Sequence, residues 1–447
     1  MRLVTPVSTW RVGLATRLGR VAWNIVIAGG GFGGFYAARA LEKSLAGQSA
    51  RVTLVNDANY MLYTPLLPGA AGATLDPRHV IVPLRAQLKR TELIVGRVIG
   101  SDPERGTLGV RRVDGENVQL TYDHLLIALG SISRTLPVPG LAEHGIGLKS
   151  LADATALRNQ VLSCLDIAES LQDEERRRER LGFVFVGAGY AGVEGLAELQ
   201  DFAAQAIESY PRCRAHGMRW VLVEAGSRIM AEVPESLSRF AAQELRGRGV
   251  ELRTGTTVRA IGDGEVELDS GERVSARTVV WTTGVKPSPA VGALGLPLDP
   301  AGRIVVDGAL RVEGRPHVWA VGDCAAVPDP ARPGRSCPPT AQHAIRQGRL
   351  VARNIRAALS GERPRPFRYR TAGVFAELGS RKAVAITLGI RWRGFPAWLL
   401  ARTYHLLMMP GVGRKLRLLV DWNVALLFGR DVSAPGRLGS PTPLDGE

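Results

Sequence analysis

Two sets of three glycines in this chain have a spacing that lets bare backbone meet a phosphate. Gly29, Gly31 and Gly34 fit G-x-G-x-x-G, and Gly187, Gly189 and Gly192 repeat it. In such a turn the first glycine allows a tight bend and the second leaves room for a pyrophosphate. The third lets a helix pack closely on a strand. Unpaired N–H groups at the helix start then face the anion. The chemistry implied is the holding of two dinucleotides. One match alone is weak, because a glycine-rich turn can be purely structural, but two with the same flanks are hard to ascribe to chance.

Each turn needs a buried strand before it and a helix after it. Asn24 to Ala28 is apolar and β-branched, and the sequence turns helical from Phe35 to Leu41, with Gly33 an additional small residue in the turn. Leu181 to Leu199 repeats strand, turn and helix. The end of the next strand should offer a group to the adenosine ribose. After Arg51 to Val55 that group is Asn56, followed by Asp57. Asn56 can bond a hydroxyl without charge, while Asp57 either shares the contact or caps a turn. After Trp220 to Val223 it is Glu224, whose carboxylate suits a 2′-hydroxyl and repels a 2′-phosphate, so the second site favours NADH over NADPH.

Further candidates lie between and beyond the turns. Asn59 to Ala71 places aromatics and prolines in an apolar loop where a flat ring could rest, with Pro65 fixing the backbone; a buried connection is the plainer reading. Leu93 to Tyr122 alternates as strands joined by turns. Tyr122 to Gly130 is a strand ending in Gly130, a cofactor-binding candidate, and the later run Val279 to Gly284 echoes it. Pro316 to Ala325 ends in Gly322 and Asp323, and an aspartate there can accept hydrogen bonds from a polyol chain such as ribityl. Thr340 to Gly348 starts a helix carrying Gln342 and Gln347, amides suited to carbonyl oxygens or to solvent. Ser150 to Arg180 reads as one long helix with a solvated charged end.

At 447 residues the chain accommodates about three domain-sized units. Its net charge of +15 comes almost wholly from arginine, a bias common in GC-rich genomes, so the sign does not point to nucleic acid. No run reaches the roughly 18 uncharged apolar residues of a spanning helix. Residues 1–23 lack the apolar core of a secretory signal; Trp10, Leu14, Leu18 and Val21 could form one face of a surface helix, or the leader is unordered. Cys164, Cys213, Cys324 and Cys337 form no C-x-x-C pair, so neither a zinc ribbon nor a local redox dithiol is expected, and no metal site.

From Phe367 the composition changes. Trp392, Phe395, Trp398, Tyr404, Trp422 and Phe428 alternate with arginines, and in the last helix Arg414, Arg417 and Asp421 form a narrow polar stripe. The wide apolar face must be covered by protein, a second subunit or a membrane interface. The tail from Ser433, rich in proline and glycine, is expected to be disordered.

Taken in order, these motifs resemble the two-dinucleotide flavoprotein reductases, and among them type II NADH:quinone oxidoreductases, over roughly Asn24 to Arg430. The resemblance implies an α/β chain with two Rossmann-like domains and an amphipathic C-terminal helical region. The FAD domain is split between 24–148 and 285–366, the NADH domain at 149–284 is inserted, and 367–432 forms the membrane-surface or dimer region. It implies FAD on the first glycine set, with Gly322 and Asp323, and NADH on the second. Thr64 to Leu67 (TPLL) matches the family's proline loop beside the flavin ring. Glu194, in GYAGVE, matches a carboxylate at the nicotinamide side, which would order nicotinamide or a water. Gln342 and Gln347 match the A-Q-x-x-x-x-Q segment of the quinone pocket. Lys286, at the re-entry to the flavin domain, either stabilises charge on the reduced ring or is a surface lysine.

The implied activity passes a hydride from NADH to FAD and two electrons to menaquinone or ubiquinone, without proton pumping, on the cytoplasmic side of the membrane. A homodimer is also compatible. The chain departs from the family at Asn56, where an acid is usual, and near Arg370 to Gly373, where many members carry a lysine. Three alternatives stay open: a sulfide:quinone oxidoreductase, which would need Cys164 and Cys337 at the flavin, another flavin reductase, and a non-catalytic NADH-responsive flavoprotein sensor.

Overall fold

The computed structural model describes residues 23–371 and 373–434. The leader up to residue 22, where a surface helix or an unordered segment is expected, and the tail from residue 435 lie outside the described residues; Trp23 already belongs to the first strand. The contacts divide the chain into two compact units. One comprises 23–62, 81–132 and 285–371; the other comprises 63–80, 133–284 and the described residues from 373 onward. The division differs from the sequence expectation in three places, the first being that 367–432 is not a region of its own: 367–371 belong with the first unit and the described residues from 373 onward with the second. The segment 63–80 belongs with the second unit, and the chain enters that unit at 133, because Gly145–Gly147 pairs with Thr278–Trp281 in its sheet.

The first unit is built on a seven-stranded sheet in the order Val318–Ala320, His124–Ile127, Trp23–Ala28, Ala50–Asn56, Thr91–Asp102, Thr107–Arg112, Asn117–Thr121. The first five strands run parallel, and the last two extend the sheet as an antiparallel meander. Ile25 to Ala28 and Leu125 to Ile127 are buried on both faces, as expected of parallel strands covered by helices. Phe32–Ser44 and Ala341–Leu359 pack together through glycine: a Cβ on Gly348 would lie 2.3 Å from the Gly33 carbonyl oxygen.

The second unit has a five-stranded parallel sheet in the order Gly145–Gly147, Thr278–Trp281, Gly182–Val186, Arg219–Glu224, Val250–Thr254. A three-stranded antiparallel sheet of Val258–Ile261, Glu265–Leu268 and Arg273–Ser275 packs on it, joining Val184, Val221, Val266, Leu268 and Val279 in one core. The segment 150–180 forms two helices, Leu151–Ser170 and Glu174–Arg180, with Asp173 capping the second through the N–H groups of Glu175 and Arg176. Its charged end is not wholly solvated. Arg177 is buried, and its guanidinium donates to the Ala168 and Leu171 carbonyl oxygens that end the preceding helix.

The stretch read as an apolar loop is also ordered. Tyr60–Leu62 pairs with Ile81–Pro83 in the first unit. In the second, Thr64–Leu66 is a 3₁₀ turn that leads into the helix Leu67–Ala71. After residue 372 come three antiparallel strands, Gly373–Glu377, Ala383–Thr387 and Ile390–Gly394, then helices Phe395–Met408 and Val412–Phe428. Ala383, Ala385 and Ala397 form a small core under Phe375, Trp392 and Trp398.

The last helix is turned opposite to the arrangement normal in water. Asp421 accepts from His79 at 2.6 Å and from the Asp76 N–H at 3.1 Å, and Arg414 donates to the Arg78 carbonyl oxygen at 2.6 Å. Polar groups thus hold the helix to the protein, while Val412 (83 % exposed), Leu416, Val420, Leu427 and Phe428 (82 %) face outward. No helix among the described residues is long and apolar enough to cross a membrane.

Candidate functional site

The two glycine turns have the same local construction. Gly29 and Gly187 have φ of +105° and +98°, and a Cβ on either would collide with backbone of the neighbouring strand connection, at Ala128 and Thr282. Gly34 and Gly192 sit where a Cβ would lie 1.8 and 1.9 Å from the carbonyl oxygens of Gly29 and Gly187, so helix and strand touch through backbone. The middle positions are open. Nothing lies within 4 Å of a Cβ on Gly31, and only Glu232 Oε1, at 3.8 Å, is near one on Gly189. Neither helix has a side-chain cap at its N-terminus. Each turn therefore offers uncapped helix N–H groups beside bare backbone, the shape and polarity that a pyrophosphate needs.

The residues ending the second strands act on these turns. Asn56 Oδ1 accepts the Gly30 N–H at 2.7 Å, and Glu224 Oε2 accepts the Ala188 N–H at the equivalent place, also at 2.7 Å. Asn56 spends its amide hydrogens on Ala58 O at 2.8 Å and Tyr60 O at 3.2 Å. A carboxylate could not donate those bonds, which accounts for an amide here in place of an acid. Asp57 is exposed, and its charge helps burial raise the Tyr60 phenol above its ordinary range. Glu224 also accepts the Gly226 N–H at 2.8 Å.

In the first unit Gly322 (φ +75°) opens a 3₁₀ turn after Val318–Ala320. The adjacent Asp323 accepts from Ser131 Oγ at 2.6 Å, beyond Gly130 (φ +64°). Gln347 is fully buried and its Oε1 accepts the Gly322 N–H at 2.8 Å, so it braces this turn from inside the helix. Gln342 is half-buried and its Oε1 accepts from Tyr369 Oη at 2.7 Å. The two amides therefore serve different partners. Lys286 stands exposed on the strand Val285–Pro287.

In the second unit Pro65 and Glu194 line one pocket with Glu198, Glu377, Arg402 and Trp422. Glu194 comes from the helix after the second glycine turn, Tyr190–Ala206, and its Oε1 accepts the Glu377 N–H at 3.0 Å. Burial, with the charges of Glu377 and Glu198, pushes Glu194 up to about 8. Burial likewise raises Tyr190, whose neighbours are Glu232 and Glu194. Nearby, Tyr63 Oη lies 3.4 Å from His405 Nδ1, and burial pushes that imidazole down to about 4.

Sequence reasoning missed Glu198, Glu377, Arg402 and Arg430. A signal existed for Glu198, which falls one turn after Glu194 and one turn before Asp201 on an otherwise largely apolar helix. Glu377 and Arg402 reach the pocket from distant segments, and Arg430 reaches Glu198 from beyond the last helix. Cys164 lies in the core of the second unit against Thr278, whereas Cys337 belongs to the first and bonds the Pro328 carbonyl oxygen. Burial raises both thiols, Cys337 to about 11, so they stay protonated near neutrality.

Residues 23–348 match the pyridine nucleotide-disulphide oxidoreductase family. The chain is 30 % identical over 427 residues to a probable NADH dehydrogenase of Dictyostelium discoideum, covering 93 % of this chain and 92 % of that protein. It is 30 % identical to a type II NADH:quinone oxidoreductase of Mycobacterium tuberculosis, covering 91 % and 89 % respectively. Among solved structures, NDH2 from Plasmodium falciparum in complex with NADH superposes with a TM-score of 0.85 at 18 % identity, over 92 % of this chain and 100 % of that one.

Proposed function

The chain belongs to the pyridine nucleotide-disulphide oxidoreductase family, among its type II NADH:quinone oxidoreductases, and from that premise we propose how its residues divide the work. The enzyme is FAD-dependent, oxidises NADH and reduces a quinone. When bound, FAD supplies the hydride and electron chemistry; the protein binds and orients.

In the first unit, Gly29, Gly31, Gly33 and Gly34 hold the FAD pyrophosphate against an uncapped helix. Asn56 shapes that turn, and Asp57 is the charged group left beside the adenosine end. Gly130, Gly322 and Asp323 receive the polyol chain, with Gln347 bracing their backbone and Gln342, beside Tyr369, offered to the quinone carbonyl. Lys286 is assigned to balancing charge on the reduced cofactor. In the second unit, Gly187, Gly189 and Gly192 hold the NADH pyrophosphate, and Glu224 takes the ribose. Pro65 fixes the backbone of the pocket wall opposite Glu194.

The observation that carries this reading is the pair of equal turns with open middle glycines, one of them followed by a carboxylate that selects NADH. The outward apolar row of the last helix favours peripheral attachment to the membrane that holds the quinone, on the cytoplasmic side where NADH is supplied. The test is anaerobic stopped-flow: bleach the flavin with NADH, then add a menaquinone or ubiquinone analogue. Rapid bleaching and rapid reoxidation are expected. Reoxidation no faster than in buffer containing air would sink the quinone assignment.

A further inference from the structure

The two glycine turns, alike in backbone, differ in what stands before them. In the first, nothing lies within 4 Å of a Cβ placed on Gly31. In the second, the atom nearest the equivalent place on Gly189 is a carboxylate oxygen, Glu232 Oε1 at 3.8 Å. The helix that Gly189 opens has no side-chain cap, so this carboxylate stands at the mouth of the turn without closing it. Its position is built. Glu232 lies in the connection 225–234 between the strand Arg219–Glu224 and the helix Glu235–Gly247. Within that connection Met230 takes a left-handed backbone, φ +49°, and its N–H donates to the Ala188 carbonyl oxygen inside the glycine turn at 2.8 Å. A non-glycine residue keeps that conformation only where its surroundings impose it. Here Arg228 donates to the carbonyl oxygens of Ala231 at 2.7 Å and Val233 at 2.9 Å, and Ser238 Oγ donates to that of Ile229 at 2.7 Å. Ile229, Met230 and Val233 are buried, whereas Glu232 projects from them exposed. Among the described residues no ion pair or hydrogen bond engages its carboxylate.

We infer that Glu232 sets the affinity of the second turn: its carboxylate occupies the approach to Gly189, repels the incoming pyrophosphate, weakens NADH binding and speeds the departure of NAD⁺. The inference rests on the reading that this turn holds the NADH pyrophosphate. Unpaired N–H groups at a helix start attract any anion, so a carboxylate there competes with a phosphate for the same field. Like charges a few ångströms apart at a protein surface repel appreciably, and salt screens the effect. The contrast between the turns matches their different service. A resident flavin is held throughout, whereas NADH enters and NAD⁺ leaves in every cycle. The first turn has the neutral Asn56 at its strand end and open space before Gly31. The second has Glu224 at its strand end and Glu232 before Gly189, so two negative charges flank the place of one pyrophosphate. The charge of Glu232 is also felt on the helix itself, where, after burial, it contributes to raising the phenol of Tyr190, the first helical residue.

Isothermal titration calorimetry of the FAD-loaded protein with ADP-ribose, which carries the pyrophosphate but cannot reduce the flavin, tests this without turnover. Glu232→Gln should tighten ADP-ribose binding by roughly threefold to tenfold at low salt, and the gain should shrink as salt is raised. Glu232→Asp, which keeps the charge but withdraws it by one methylene, should fall between the two. Adenosine, which lacks the pyrophosphate, should bind the wild type and Glu232→Gln alike. In turnover, NAD⁺ should inhibit Glu232→Gln more strongly than the wild type. Equal or weaker ADP-ribose binding by Glu232→Gln would overturn the proposal, as would a gain of the same size with adenosine. ADP-ribose that binds neither protein would refute the reading of the second turn as the NADH site, and the proposal with it.

Discussion

Arg430, just past the last helix, is bonded to Glu198 in the middle of the second glycine helix, with Nη1 and Oε2 2.9 Å apart and both side chains largely buried. The same guanidinium reaches the carbonyl oxygens of Gly72 and Glu198 and the Asp201 carboxylate. One side chain therefore joins the segment after the last helix, the proline segment and the nucleotide helix of the second unit. Arg430→Met should cost roughly 3–5 kcal/mol, since it leaves a buried carboxylate unpaired. Adding Glu198→Leu should recover part of the loss, which differential scanning calorimetry of the single and double variants would measure.

The glycines separate binding from folding. Gly31→Val should fold with a near-native melting temperature yet purify with little FAD, because its Cβ enters open space in front of the turn. Gly34→Ala should destabilise by more than about 2 kcal/mol, because its Cβ meets the Gly29 carbonyl oxygen. Flavin absorbance per protein and thermal melts distinguish the two. In the second turn, Gly189→Val should weaken NADH bleaching while FAD is retained.

Asn56→Asp tests why an amide stands at the end of the second strand. It keeps the acceptor for Gly30 but loses the donors to Ala58 and Tyr60. A loss of roughly 1–3 kcal/mol is expected, and lower FAD occupancy with it, despite the closer match to an acidic ribose ligand.

Glu224→Gln should raise kcat/KM for NADPH relative to NADH by roughly tenfold or more, equivalent to at least about 1.4 kcal/mol of discrimination. The residue also holds the Ala188 and Gly226 N–H groups, so kcat/KM with NADH should fall as well. Steady-state kinetics with both nucleotides would show whether repulsion or loop shape dominates.

Stability should respond to pH through Glu194. Its carboxyl rises from an ordinary 4.5 to about 8, so within that window the folded protein holds a proton that the unfolded chain has lost. Stability from this group therefore falls as pH rises, and the fall is complete above the raised value. Glu194→Gln removes the dependence. Its melting temperature should exceed that of the wild type by a margin that grows from pH 5 to about pH 8 and then levels. An equal margin at both ends would refute the assignment.

What was legible in the sequence was local. Both glycine turns, their strands and Glu224 are encoded within short windows, where spacing alone fixes the geometry. Gln347 was named from the sequence, but its bond to the Gly322 N–H was not legible, because the two lie 25 residues apart. Glu377 and Arg402 meet Glu194 only through the late sheet and helix, and nothing in their own neighbourhoods marks them. The polar stripe of the last helix was seen, but its direction was not. Asp421 is drawn inward by His79, whose position depends on the fold of a segment more than 300 residues earlier.

That inverted helix limits what a deletion experiment can teach. Cutting the chain before Val412 would remove the outward apolar row and also Asp421, Trp422 and Arg430, leaving His79 and Glu198 without those partners and Asp201 with one arginine in place of two. A truncated enzyme that fails would not reveal whether it had lost its attachment or its shape. Separating the two requires changes confined to outward side chains, such as Leu416, Leu427 and Phe428 to polar residues, with the last turn and its arginine left in place.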